Sequence, residues 1–77
     1  MSEQTLQAKV LTVSDGVVAG TREDTGGTGM AAYLRDHGFE VVAHDVTADG
    51  ADNVAAALRS LVEGFAGLVV TTGGTGF

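Results

Sequence analysis

The stretch Thr71-Thr72-Gly73-Gly74-Thr75-Gly76 follows directly on the β-branched run Leu68-Val69-Val70. Glycines in that place let backbone N–H groups approach an anion without Cβ interference. The hydroxyls of Thr72 and Thr75 add donors, so Gly73 to Gly76 suit a phosphate cradle. A plain steric turn fits the same residues, because glycine also ends strands for conformational reasons alone. A near copy, Thr25-Gly26-Gly27-Thr28-Gly29-Met30, closes the segment from Asp15 to Gly29. One copy opens a helix and the other follows a strand, so the similarity reads as coincidence and not duplication. Around these glycines stand the acids Asp15, Asp24 and Asp49. Asp24 and Thr25 have the character of helix caps, and Asp49-Gly50 is a common turn dipeptide. His37 reads as a solvent-facing residue in the last turn of a helix. His44 lies inside a strand with no partner in sequence, and neither histidine is assigned a role.

Two nucleotide fingerprints bear on the glycines. A Walker A loop needs Gly-Lys-Ser/Thr, and no lysine follows a glycine here, so that reading fails. Gly27-Thr28-Gly29-Met30-Ala31-Ala32 matches G-x-G-x-x-A, with Asp45 or Asp49 at a plausible distance for a ribose contact. Rossmann glycines follow their strand immediately, whereas here a long segment intervenes. An NAD-type dinucleotide binder therefore stays open as an alternative.

Three short β-branched runs position these groups: Lys9 to Ser14, Glu40 to Val46, and Gly67 to Thr72. Their apolar residues are continuous, which reads as strands buried on both faces of a parallel sheet. Met30, Tyr33 and Leu34 share a helical face that stops at Gly38, a residue suited to the left-handed position after a helix. Val54, Leu58, Leu61, Val62 and Phe65 mark a second helical face, with Asp52 or Asn53 as its cap. The order β-α-β-α-β predicts an α/β fold with right-handed crossovers and strand order 2-1-3, one helix on each face. Ligands in such sheets bind at the carboxyl ends of the strands. The connection from Asp15 to Gly29 is long for a βα loop, which marks it either as functional or as a surface excursion.

Composition narrows the partners. The chain has 77 residues and a formal net charge of −6, with 4 basic residues against 10 acidic ones, which argues against a phosphate-tracking nucleic-acid surface. No apolar run approaches the ~20 residues of a membrane span. The absence of cysteine fits a reducing, cytoplasmic setting. A core of this size rarely supplies more than ~3–5 kcal/mol unaided, so assembly with further copies or with more chain is expected.

Val13-Ser14-Asp15, Glu23-Asp24, Gly27, Val46-Thr47-Ala48-Asp49 and Leu68 to Phe77 occur in that order at family spacing. Together they resemble the MogA/MoaB family of molybdenum cofactor biosynthesis proteins, which includes the N-terminal domain of gephyrin. The resemblance covers nearly the whole chain from Lys9 onward, and Thr-Thr-Gly-Gly-Thr-Gly after a strand is its most specific element. It implies a three-layer α/β/α fold, a trimer, and molybdopterin binding. The activity it implies is molybdopterin adenylylation with ATP and Mg²⁺. By position Asp49 matches a family aspartate important for catalysis, and it would hold the metal. Ser14, Asp15, Asp24, Gly27, Thr72, Gly73, Gly74, Thr75 and Gly76 match positions that face the cofactor. A non-catalytic pterin-binding or scaffolding module is the alternative within the same fold. Arg22 is the sole cation in the expected rim loops, so anion binding would rest on backbone donors and a divalent ion. Family members continue past the Gly-Gly-Thr-Gly loop, so residues 1–77 are expected to form an incomplete domain: its N-terminal half, weakly stable alone.

Overall fold

The structure, a computed structural model, describes residues 6–20 and 23–73. In chain order it contains β1 (Leu6–Val13), α1 (Asp15–Ala19), α2 (Thr25–Asp36), β2 (Phe39–Thr47), α3 (Ala51–Val62) and β3 (Leu68–Gly73). The three strands form one parallel sheet in the order β2-β1-β3. This is the α/β arrangement that the alternation of β-branched and helical runs predicts.

β1 is the strand with both faces covered. Ala8 and Val10 pack beneath Ala31 and Leu34 of α2, whereas Leu11 and Val13 pack beneath Leu61 of α3. Successive side chains of a strand point to opposite faces, so this one apolar run feeds two cores. Burying the apolar surface of Val10 and Leu11, both 0% exposed, contributes roughly 1.5–3 kcal/mol per side chain. The flanking strands differ from the expectation of two-sided burial. Val42 and Val46 of β2 and Leu68 of β3 remain exposed, because each flanking strand has a sheet neighbour on one side only among the described residues.

The register of β1 on β2 slips between Ala8 and Lys9. Ala8 pairs with Val41, but Lys9 pairs with Ala43, which leaves Val42 as an extra residue on β2. A bulge of this kind reverses the alternation downstream. Phe39 and Val41 accordingly join the α2 core, while Ala43 joins the α3 core. The residue after Ala43 is His44, and the slip delivers it to the α2 face.

Local chemistry explains where the helices begin and end. The Ser14 hydroxyl accepts from the Val17 N–H at 3.3 Å and opens α1, which Gly20 closes at φ +83°. Part of the segment read as a long loop is thus helical. α2 starts at Thr25 instead of Met30, because the Asp24 carboxylate caps it by accepting from the Gly27 N–H at 2.9 Å. Gly38, at φ +90°, follows its end as expected. Tyr33 departs from the core face: it is 57% exposed and stacks on the His37 ring, whose Nδ1 lies 2.8 Å from the Tyr33 carbonyl oxygen. α3 is preceded by Gly50, and neither Asp52 nor Asn53 caps it; both lie in its first turn. Val62 is exposed, and Phe65 lies beyond the helix, where its ring carries the Lys9 ammonium at 4.2 Å. Lys9 Nζ also donates to the Leu61 carbonyl at 2.9 Å, which satisfies one of the unpaired carbonyls at the end of α3.

Candidate functional site at the carboxyl edge of the sheet

The carboxyl ends of all three strands meet at Val13, which pairs with Thr47 on one side and Gly73 on the other. The chain leaves β1 through Ser14, whose N–H donates to the Thr47 carbonyl at 2.9 Å and ties the start of α1 to the end of β2. Asp15 follows, and its Oδ1 accepts the Asp49 N–H at 2.8 Å. Two acids 34 residues apart in sequence are thereby brought to one place on the rim. Asp49 Oδ1 accepts from the Gly50 N–H at 2.8 Å, and the Asn53 amide donates to the Asp49 carbonyl at 3.0 Å. These bonds pin the turn while leaving both carboxylates exposed. The chemistry available here is that of hard oxygen donors.

The donor set fits a magnesium ion. Mg²⁺ is ordinarily held through one or two carboxylates, with substrate phosphates and water completing its shell, and Asp49 with Asp15 beside it offers that number. Among the described residues no three His, Cys, Asp or Glu side chains gather as a cage. Asp49 and Asp15 are the residues at this rim that could hold such an ion.

The other side of the rim is built differently. Thr12 is a buried polar residue, and its Oγ1 lies 2.9 and 3.0 Å from the two oxygens of Asp24. His44 Nε2 lies 2.7 Å from Asp24 Oδ2, and since a carboxylate only accepts, the imidazole is the donor. With the Gly27 N–H, Asp24 thus takes three different partners. Burial pushes its pKa up, but the Gly27 N–H, the Thr12 hydroxyl and the His44 imidazole outweigh that and hold it below the ordinary carboxyl value. Asp24 is the cap of α2, the role that its type and place before the helix predict.

Gly27 lies against this cluster and is itself buried. A Cβ there would collide with Thr12 Oγ1, His44 Nε2 and Asp24 Oδ2, so only glycine fits. This assigns Gly27 to packing, and the G-x-G-x-x-A match has its glycines inside α2 instead of in a turn directly after β1. Thr72 pairs with Thr12 across the sheet, and a Cβ on Gly26 would stand 3.1 Å from Thr72 Oγ1. Gly73 takes φ +85°, and a Cβ there would stand 2.6 Å from the Val13 carbonyl oxygen. The strand end thus requires glycine for backbone and space alike. Gly74, Thr75, Gly76 and Arg22 lie outside the described residues.

Sequence reasoning missed Thr12 and His44. Thr12 carried a signal, a hydroxyl in an otherwise apolar strand. His44 was read as unpartnered, and the structure corrects this: its partner is Asp24, reached because the bulge at Val42 turns it toward α2.

The family model of the probable molybdopterin binding domain matches residues 9–77. A solved structure from Corynebacterium diphtheriae, assigned to molybdenum cofactor biosynthesis, is similar at TM-score 0.82 and 28% identity, covering 94% of this chain and 47% of that one. A second structure, described as an anomalous substructure of MogA, is similar at TM-score 0.79 and 37% identity, covering 92% of this chain and 46% of that one. The chain therefore spans about half the length of the solved structures it matches. A search among curated proteins returns no match. With sheet order and family model in agreement, this chain belongs to the molybdopterin-binding domain family of molybdenum cofactor biosynthesis.

Proposed function

We propose that the rim formed by Ser14, Asp15, Asp49, Thr72 and Gly73 is one wall of a molybdopterin site that adenylylates the pterin with ATP. In this reaction an oxygen of the pterin's terminal phosphate attacks the α-phosphorus of ATP. A new P–O bond forms, the bond from that phosphorus to the bridging oxygen breaks, and pyrophosphate leaves with the electron pair. Such transfers depend on positioning and charge neutralisation more than on a covalent nucleophile. Magnesium, held by Asp49 with Asp15 beside it, would supply that neutralisation at the phosphates.

The chain's own residues do the positioning. The Asp49 N–H bond to Asp15 fixes where the two acids stand, and Asn53 holds the turn from behind. Gly73 keeps the end of β3 free of a side chain, which suits the close approach of a phosphate to the backbone there. The trimer, the cytoplasmic setting and the continuation of the domain beyond Phe77 belong to this proposal as well.

The observation that carries the reading is the juxtaposition of Asp15 and Asp49 at the carboxyl edge, next to Gly73. Its test is an adenylylation assay with molybdopterin and Mg-ATP on the full-length protein that carries this half-domain, unaltered and with Asp49→Asn. A loss of about a hundredfold in rate is expected, typical of removing one charge-stabilising group. An unchanged rate would remove Asp49 from the mechanism. Pterin binding without turnover would instead favour the scaffolding module, and the dinucleotide alternative requires saturable NAD binding.

A further inference from the structure

We infer that His44 is a positioning residue for this site: its imidazole clamps the Asp24 carboxylate and so holds the first turn of α2 on Thr12 and Thr72. The inference rests on the proposed pterin site and concerns a residue outside its ligand-facing set. Three observations place His44 in this role. The Nε2–Oδ2 separation is 2.7 Å, with side chains only 30% and 16% exposed. Asp24 is the N-terminal cap of α2, so a force on its carboxylate acts on the helix start directly. Gly26 and Gly27, the residues so positioned, lie against Thr72 Oγ1 and against the Thr12–Asp24–His44 cluster respectively.

The bulge strengthens the argument. An unbroken register would leave His44 on the same face as Asp45's present one, across the sheet from α2. The extra residue at Val42 turns the imidazole toward Asp24. Each strand thus contributes one polar side chain to the sheet face beneath the α2 start: His44 from β2, Thr12 from β1 and Thr72 from β3. Thr72 directly precedes Gly73. A displaced α2 start would shift Thr72 and, with it, Gly73 at the end of β3.

The test uses the full-length protein that carries this half-domain, with His44→Leu, His44→Gln and, as a control on the opposite face, Leu61→Ala. Backbone amide resonances of Gly27 and Thr72 report the position of the α2 start, and titration with molybdopterin reports the site. His44→Leu should move both amides and weaken molybdopterin about tenfold, the lower end for a partly exposed charge-assisted hydrogen bond. His44→Gln keeps an amide donor for Asp24 and should restore both readouts. Leu61→Ala should lower the melting temperature and leave the two amides in place. Amides unmoved in His44→Leu, equal movement in Leu61→Ala, or unchanged affinity in His44→Leu would each overturn the inference. Movement in His44→Leu alone, together with no molybdopterin binding by the unaltered full-length protein, would support the clamp and count against the pterin reading.

Discussion

Asp24 and Asp49 stand on the same rim, and their surroundings are opposite. Asp24 is half-buried and its carboxylate serves Gly27, Thr12 and His44. Asp49 is exposed; its carboxylate accepts one local bond from Gly50, while its own N–H leans on Asp15. One carboxylate is committed to holding the fold, and the other is exposed at the rim. A carboxylate's place on a rim does not establish its role; the number of its protein partners separates a helix cap from a carboxylate left exposed.

Four substitutions would break or sharpen this contrast. The largest effect should come from Gly27→Ala, whose methyl has no room among Thr12, His44 and Asp24. A loss of about 3 kcal/mol in urea unfolding is expected, the upper range for overpacking. Asp24→Ala should follow at about 2 kcal/mol, from the lost cap and the orphaned Thr12 hydroxyl. It should also change the acid limb. The pKa of Asp24 in the folded chain lies below its ordinary value of 3.8, so its stabilisation is present above that value and disappears as pH falls through the folded-state pKa. Midpoints should therefore keep their full gap above pH 3.8 and converge below it for the native chain and Asp24→Ala; a constant gap down to the lowest pH would contradict the capped, ionised carboxylate.

Gly73→Ala is expected to cost about 1.5 kcal/mol, because a left-handed backbone conformation penalises any Cβ. Stability unaffected by this change would mean that the end of β3 can readjust without loss. The smallest change in stability belongs to Asp49→Asn, within about 0.5 kcal/mol, since the amide oxygen can still accept from Gly50. A large destabilisation here would erase the distinction between the two aspartates.

Much of this arrangement follows from local pattern. The β-branched runs, the stop at Gly38 and the helical spacing of Val54, Leu58 and Leu61 depend on neighbours a few residues away, and the chain displays them directly. The 2-1-3 order also follows, because crossover handedness leaves few ways to cover a β-α-β-α-β sheet. Ser14, Asp15, Asp24, Gly27 and Asp49 were recognisable by type and spacing, though not by role.

What local pattern cannot supply is register. The slip of one residue at Val42 has no mark in the sequence that separates it from a regular strand, since valine suits both. It arises where the strand pairs with β1, with Phe39 and Val41 packed in the α2 core and Ala43 in the α3 core. From that slip follow the orientation of His44, its bond to Asp24 and the seating of Gly27. Periodicity determined which residues would form strands and helices; long-range pairing alone could decide that a histidine on one strand meets the cap of a helix 20 residues away.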